Sequence, residues 1–194
     1  QQEEQIQKTF GCCRFVYNYY LSKRIELYKV SNQAPTYNQC SSDLTQLKHE
    51  LIWLKEVDKF SLQNSLKDLD NAYQKFFREH TGYPEFKSKK DRHKSYRTNC
   101  TNNNIRFEVK HIRLPKLGLV KIRDKQIPQG RILNATISQE PSGKYYVSLC
   151  CTDVEMKPLE KTGNSVGIDL GIKKFCTTSD GKMIENKASQ KENV

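Results

Sequence analysis

A chain of 194 residues with 36% hydrophobic content can bury the core of one ordinary domain or two small ones, which excludes a disordered segment. No apolar run reaches the roughly 18 residues of a membrane span, and the opening QQEEQIQKTF lacks the basic-then-apolar order of a signal peptide. A cytoplasmic, nucleoid-acting protein without a membrane partner is expected. The net charge of +11 is concentrated: residues 87–131 hold 14 Lys and Arg against three acids (Asp91, Glu108 and Asp124), and the rest of the chain is neutral as a set. Such concentration points to a surface for a polyanion, where Lys and Arg displace counterions from phosphates.

The first predicted element is an amphipathic helix over residues 3–30, bent at Gly11, because Ile6, Phe10, Cys13, Tyr17, Tyr20, Ile25 and Tyr28 recur at near three- and four-residue spacing. Pro35 in SNQAPTYNQ interrupts that pattern, and a shorter helix is expected from about Ser41 through Leu44 and Leu47. The third helix is the clearest: Leu62, Leu66, Leu69, Tyr73 and Phe76 form one apolar stripe, with Asp58 placed to cap its start. Residues 1–80 therefore read as a small helical module.

From Thr81 the texture changes. Residues 81–104 combine turn formers, a basic run (Lys87, Lys89, Lys90, Arg92, Lys94, Arg97, with Tyr96 interleaved) and an Asn cluster, and read as a loop or arm. Over residues 105–158, IRFEV, LGLVKIR, RILNATISQE and KYYVSLCCTDVE read as strands of a small antiparallel sheet or barrel, with a hairpin at Pro141–Gly143. MKPLEKTGN reads as a linker. SVGIDLG, KKFCTTSDG and KMIEN, over residues 165–194, then start a new sheet, with a hairpin turn at Asp180-Gly181. The seven cysteines have no zinc-ligand spacing, and most read as small reduced core residues.

Asp169 in VGIDLGIKKF sits between Ile168 and Leu170. It has three readings. One is a structural Asp at a strand end, hydrogen-bonded to nearby amides. Another is the phosphate loop of actin-like nucleotide-binding proteins, where a hydroxyl residue follows the glycine; here Ile172 follows Gly171. The third is a metal-nuclease strand, on which an acid joins two later carboxylates to hold paired Mg2+ for phosphodiester cleavage.

VGIDLGIKKFCTTSDGK resembles the first RuvC motif of the OrfB/TnpB proteins of insertion sequences, RNA-guided DNA endonucleases related to type V CRISPR effectors. FGCCRFVYNYYLSKRIELYK, TYNQCSSDLTQLK, EVDKFSLQNSLKDLDNAYQKFF, GYPEFKSKKDRHKSYRTNCTNNNI and LPKLGLVKIR resemble further segments of that family, in its order and spacing. The resemblance implies an α+β fold: a helical recognition (REC) bundle, an antiparallel wedge-type (WED) β-barrel, and the first strands of an incomplete RNase H-like (RuvC) domain. It also implies guide RNA and double-stranded target DNA as partners. A short transposon-adjacent DNA motif would be read by Tyr37, Ser41, Lys59, Phe60, Gln63, Thr101 and Asn102, and backbone phosphates gripped by the six basic residues of the arm.

By the same resemblance Asp169 is a catalytic acid and Mg2+ ligand of the parent enzyme, and zinc belongs to the parent's later part. Asp180 and Glu185 do not match the family's later acids. The chain is therefore expected to be an N-terminal portion, lacking residues at both ends, that binds nucleic acid, holds no cofactor tightly and does not cut. A nuclease-dead, RNA-guided DNA-binding repressor of the same family is the alternative.

Overall fold

Helix α1 spans Gln2–Ser31 and opens on Glu3 and Glu4, whose charges suit the positive end of a helix. It runs unbroken through Gly11 and ends where Asn32 turns left-handed at φ 54°, its amide donating to the Tyr28 carbonyl. The structure, a computed structural model, describes residues 1–123, 127–154, 158, 160 and 162–186. Much of the expected linker and nearly all of the C-terminal tail lie outside the described residues.

Helix α2 (Tyr37–Glu50) begins four residues earlier than the apolar spacing predicts. The reason is a capping box: Thr36 accepts the Gln39 amide, and the Gln39 side chain accepts the Thr36 amide in return. A 3-10 turn (Ile52–Glu56) leads into α3, Lys59–Glu79, capped by Asp58 as expected. Small residues let α1 and α3 approach closely. The Ser65 hydroxyl donates to the Cys13 carbonyl at 2.6 Å, and the Cys13 thiol to the Ser61 carbonyl at 3.4 Å. Val16, Tyr20, Leu21, Leu44, Leu54, Leu62, Leu66 and Leu69 are buried around that contact.

The arm expected over residues 81–104 is corrected in its second half, where Lys94–Asn99 form strand β1. Its alternation decides this: Tyr96 and Thr98 are buried, and the Tyr96 ring meets Phe10 of α1 edge-on at 5.7 Å. Strands β2 (Arg106–Glu108), β3 (His111–Leu114) and β4 (Gly118–Lys121) form one antiparallel sheet in the order β2-β3-β4. β3, in the basic KHIRL stretch, carries no sequence signal beyond Ile112 and Leu114, both buried.

Strands β5 (Arg131–Gln139) and β6 (Tyr145–Thr152) complete a sheet of order β1-β5-β6. The expected hairpin at Pro141–Gly143 joins them: Gly143 lies at φ 79° and its amide donates to the Glu140 carbonyl. A register shift between Ile132 and Asn134 bulges β5, and the Leu133 carbonyl there accepts the Cys100 amide at 2.8 Å. Gly130 has φ +90°, and a Cβ there would stand 2.2 Å from the Thr152 carbonyl oxygen, so only glycine fits. Among the described residues these strands make two separate three-stranded antiparallel sheets, the sheet alternative of the expectation, rather than the β-barrel that the resemblance implies.

The chain divides into two compact units, Gln1–Glu155 and Met156–Val194. The second contains β7 (Ile168–Asp169), β8 (Lys174–Thr178) and β9 (Met183–Glu185), paired antiparallel in that order. The Asp180-Gly181 turn forms as expected, with Gly181 at φ 85° and its amide donating to the Thr178 carbonyl. No described helix is long and apolar enough to cross a membrane.

Candidate nucleic-acid interface

The N-terminal turn of α3 is built onto β1. One carboxylate oxygen of Asp58 accepts the amides of Phe60 and Ser61 at 3.1 and 3.2 Å and the Thr98 hydroxyl at 2.6 Å. One turn further, the Asn64 side chain donates to the Arg97 carbonyl at 2.9 Å and to Asn99 Oδ1 at 3.1 Å. The helix turn that carries Lys59, Phe60 and Gln63 is thereby held against the strand that leads into Thr101 and Asn102.

That following turn is itself fixed by asparagines. Asn104 accepts the Thr101 amide at 2.8 Å and donates to the Asn99 carbonyl at 3.3 Å, while Asn102 and Asn103 lie in the left-handed region at φ 49° and 57°. Asn tolerates that region far better than branched residues do. Thr101 and Asn102 are exposed, and Gln63 and Phe60 half-buried. The exposed Lys59 ammonium stands 4.9 Å from the Phe60 ring centre. Tyr37 and Ser41 are on a different element, α2, where Tyr37 packs partly against the core.

The arm's basic residues fall into two groups. The Lys87 ammonium lies 4.3 Å over the Tyr17 ring, and its backbone exchanges two hydrogen bonds with the Asn18 side chain, so Lys87 pins the arm to α1. Arg97 donates to Asp68 of α3 at 2.9 Å. Lys89, Lys90 and Arg92 are exposed, and Lys94 begins β1. Between them a turn closes locally, with the Ser88 amide on the Asp91 carboxylate at 3.0 Å.

In the second unit Asp169 is exposed on β7, paired in register with Thr177, and its neighbours Ile168 and Leu170 are exposed too. Among the described residues no group of three or more His, Cys, Asp or Glu could hold a metal ion. Asp180 is engaged in its own turn: the Thr178 hydroxyl, and after it Lys182, hold its carboxyl below the ordinary value of 3.8. The described residues thus do not by themselves compose a two-metal site.

Sequence reasoning missed the contribution of Asn64 and Thr98, which join the helix to the strand. The visible signal for Asn64 is a polar residue in a helix otherwise patterned for burial; Thr98 gives none beyond its place in the basic run.

Comparison with known proteins gives a family model and curated relatives. A helix-turn-helix domain family of the OrfB/IS605 type matches residues 1–33. Those residues are one helix and its left-handed cap, so the match marks kinship rather than a helix pair seated in a groove. Two curated relatives carry the name "Putative RNA-guided DNA endonuclease". One, InsQ of Escherichia coli (strain K12), is 35% identical over 187 residues, 95% of this chain and 46% of its own length. The other, from Streptomyces pristinaespiralis, is 33% identical over 191 residues, 96% of this chain and 47% of its own. The chain therefore spans about half the length of these relatives. Along nearly all of its residues the chain is similar to these two relatives, and its first helix matches the OrfB/IS605 family model.

Proposed function

We propose that this chain is the nucleic-acid-binding part of an RNA-guided DNA endonuclease, engaging guide RNA and a short transposon-adjacent motif in double-stranded DNA. The observation that carries the reading is the junction of α3 with β1, where Asp58 bonds Thr98 and Asn64 bonds Asn99. A rigid junction suits sequence reading, because base-edge contacts discriminate only when their donors and acceptors are held in place. Gln63 and Asn102 have the amide groups that pair with adenine edges, Thr101 and Phe60 can touch a thymine methyl, and Lys59 suits a phosphate. Tyr37 and Ser41 would act from α2.

In this reading the helices are the REC module, residues 94–152 belong to the WED module, and the β7-β8-β9 sheet opens a RuvC domain. Lys89, Lys90, Arg92 and Lys94 grip phosphates without regard to sequence, and Lys87 and Arg97 set the arm's position. Asp169 is one acid of a metal nuclease and, among the described residues, belongs to no group of three or more metal-ligating side chains, so binding rather than cutting is assigned to these residues. Mg2+ and zinc belong to the parent enzyme.

Gel-shift titration of the chain with duplex DNA and with single-stranded RNA tests the reading. Lys89→Ala, Lys90→Ala and Arg92→Ala together should weaken both. They should also flatten the log-log salt slope on duplex DNA by about 3. Unchanged affinity and slope would reject the basic surface. Incubation with Mg2+, guide RNA and a supercoiled plasmid carrying the matching target should leave the plasmid intact, and cleavage that disappears in Asp169→Ala would reject the binding-only assignment.

A further inference from the structure

The far end of the helical pair carries an aromatic cluster that the DNA-reading junction does not use. Tyr83, past the end of α3, meets Tyr73 at 5.6 Å and Phe76 at 5.2 Å between ring centres, both nearly perpendicular, and its hydroxyl lies 3.0 Å from that of Tyr73. Phe77 packs edge-on to Phe76 at 5.1 Å yet is 69% exposed, and Phe86 is 56% exposed. The cluster is braced from beneath, since the Arg24 guanidinium, itself buried and paired with Asp70, stacks 5.0 Å from the Tyr73 ring. An open phenylalanine on a braced base is not explained by core packing.

Its surroundings are cationic. Lys75 and Arg78 flank Phe76 and Phe77 on α3, and Lys89 and Lys90 follow Phe86 in the chain, all exposed, against Glu79 and Glu85. Exposed rings beside a basic track are what a single strand requires, because bases stack on the rings while the track follows the phosphates. An apolar protein partner would find this rim of cations unfavourable to bury. Duplex DNA keeps its bases stacked internally and offers the rings nothing.

We infer that Phe77 and Tyr83, with the exposed Phe86 three residues further along the chain, offer a stacking platform for unpaired bases of single-stranded RNA, distinct from the α3–β1 junction. The inference rests on the proposed RNA binding and adds its location and chemistry.

Fluorescence anisotropy of the whole chain with labelled oligouridylate, an abasic ribose-phosphate strand of equal length, and duplex DNA tests it. Phe77→Ala should weaken oligouridylate about tenfold, leave the abasic strand and the duplex unchanged, and be rescued by Phe77→Trp. Phe86→Ala should act in the same direction, so that misfolding of one variant does not decide the matter. Equal loss on the abasic strand, or no loss on oligouridylate, would overturn the platform. So would a dimer in sedimentation that Phe77→Ala dissociates, since the rings would then be a protein interface. If the unaltered chain bound none of the three probes, the broader nucleic-acid reading would fail; if it bound them and only the Phe variants were silent, the platform alone would fail.

Discussion

Thr98 of β1 donates its hydroxyl to Asp58 at 2.6 Å, and the acceptor is the same carboxylate oxygen that caps α3 through Phe60 and Ser61. One atom thus caps the start of a helix and fixes a strand. Asp58→Ala removes the cap and strands the buried Thr98 hydroxyl, so a loss of about 2–3 kcal/mol in urea unfolding is expected. Asp58 and Thr98 should couple by at least about 0.5 kcal/mol in a double-mutant cycle with Thr98→Val. Additive losses would mean that the bond contributes nothing to folding.

Arg24 and Asp70 join α1 to α3 through a 2.9 Å ion pair in which Arg24 is only 5% exposed and its Nε has no hydrogen-bond partner. Removing one partner leaves the other charge poorly compensated, so Asp70→Ala should cost about 3 kcal/mol or more in chemical denaturation. A loss below about 1 kcal/mol would show the pair to be as weak as a surface one.

A pH effect follows from Asp43 of α2, which accepts from Tyr20 and Lys23 of α1, each at 2.8 Å. Burial pushes its carboxyl upward, but the bonds from Lys23 and Tyr20 outweigh that and hold it below the ordinary 3.8. A carboxyl lowered on folding stabilises the fold above its unfolded value, and that contribution disappears as pH falls through the folded value. Asp43→Asn should therefore melt lower than the unaltered chain at neutral pH, with the gap closing below about pH 4. A gap that widens on acidification would contradict the bonding.

Cysteine chemistry reports on the same core. Burial pushes the Cys12 thiol up to about 11 and the Cys13 thiol up to about 12, whereas Cys150 is exposed on β6. The thiolate is the reactive form. Iodoacetamide at mildly alkaline pH should modify Cys150 first and spare Cys12 and Cys13 until denaturant is added. Peptide mapping showing early modification of Cys13 would mean that the α1–α3 contact opens in the native state.

The helices were legible in the sequence because burial repeats along them: Leu62, Leu66 and Leu69 of one stripe all lie in the core, and Asp58 caps where its position suggested. The early start of α2 has its own sequence signal in the capping box of Thr36 and Gln39. β1 was not. Its residues Lys94, Ser95 and Arg97 are those of a solvated arm, and only contact with Phe10 and Asp58, distant in the chain, makes Tyr96 and Thr98 a buried face. The same holds for the candidate site, since the family resemblance implied Gln63 and Asn102, while the Asn64–Asn99 bond that ties their segments together is a tertiary fact. The six basic residues read alike in sequence, yet Arg97 is spent on Asp68 and Lys87 on Tyr17.

The central claim is that the α3–β1 junction reads DNA sequence while the arm only holds phosphates. Selection from a randomised duplex library, sequenced for the unaltered chain, for Gln63→Ala, and for Lys89, Lys90 and Arg92 changed together to Ala, tests it most directly. The account predicts a short enriched motif for the unaltered chain, loss of preference at one or more of its positions in Gln63→Ala with affinity nearly kept, and the same motif recovered at lower yield in the triple variant. An unchanged motif in Gln63→Ala, or a motif altered equally by both variants, would contradict it.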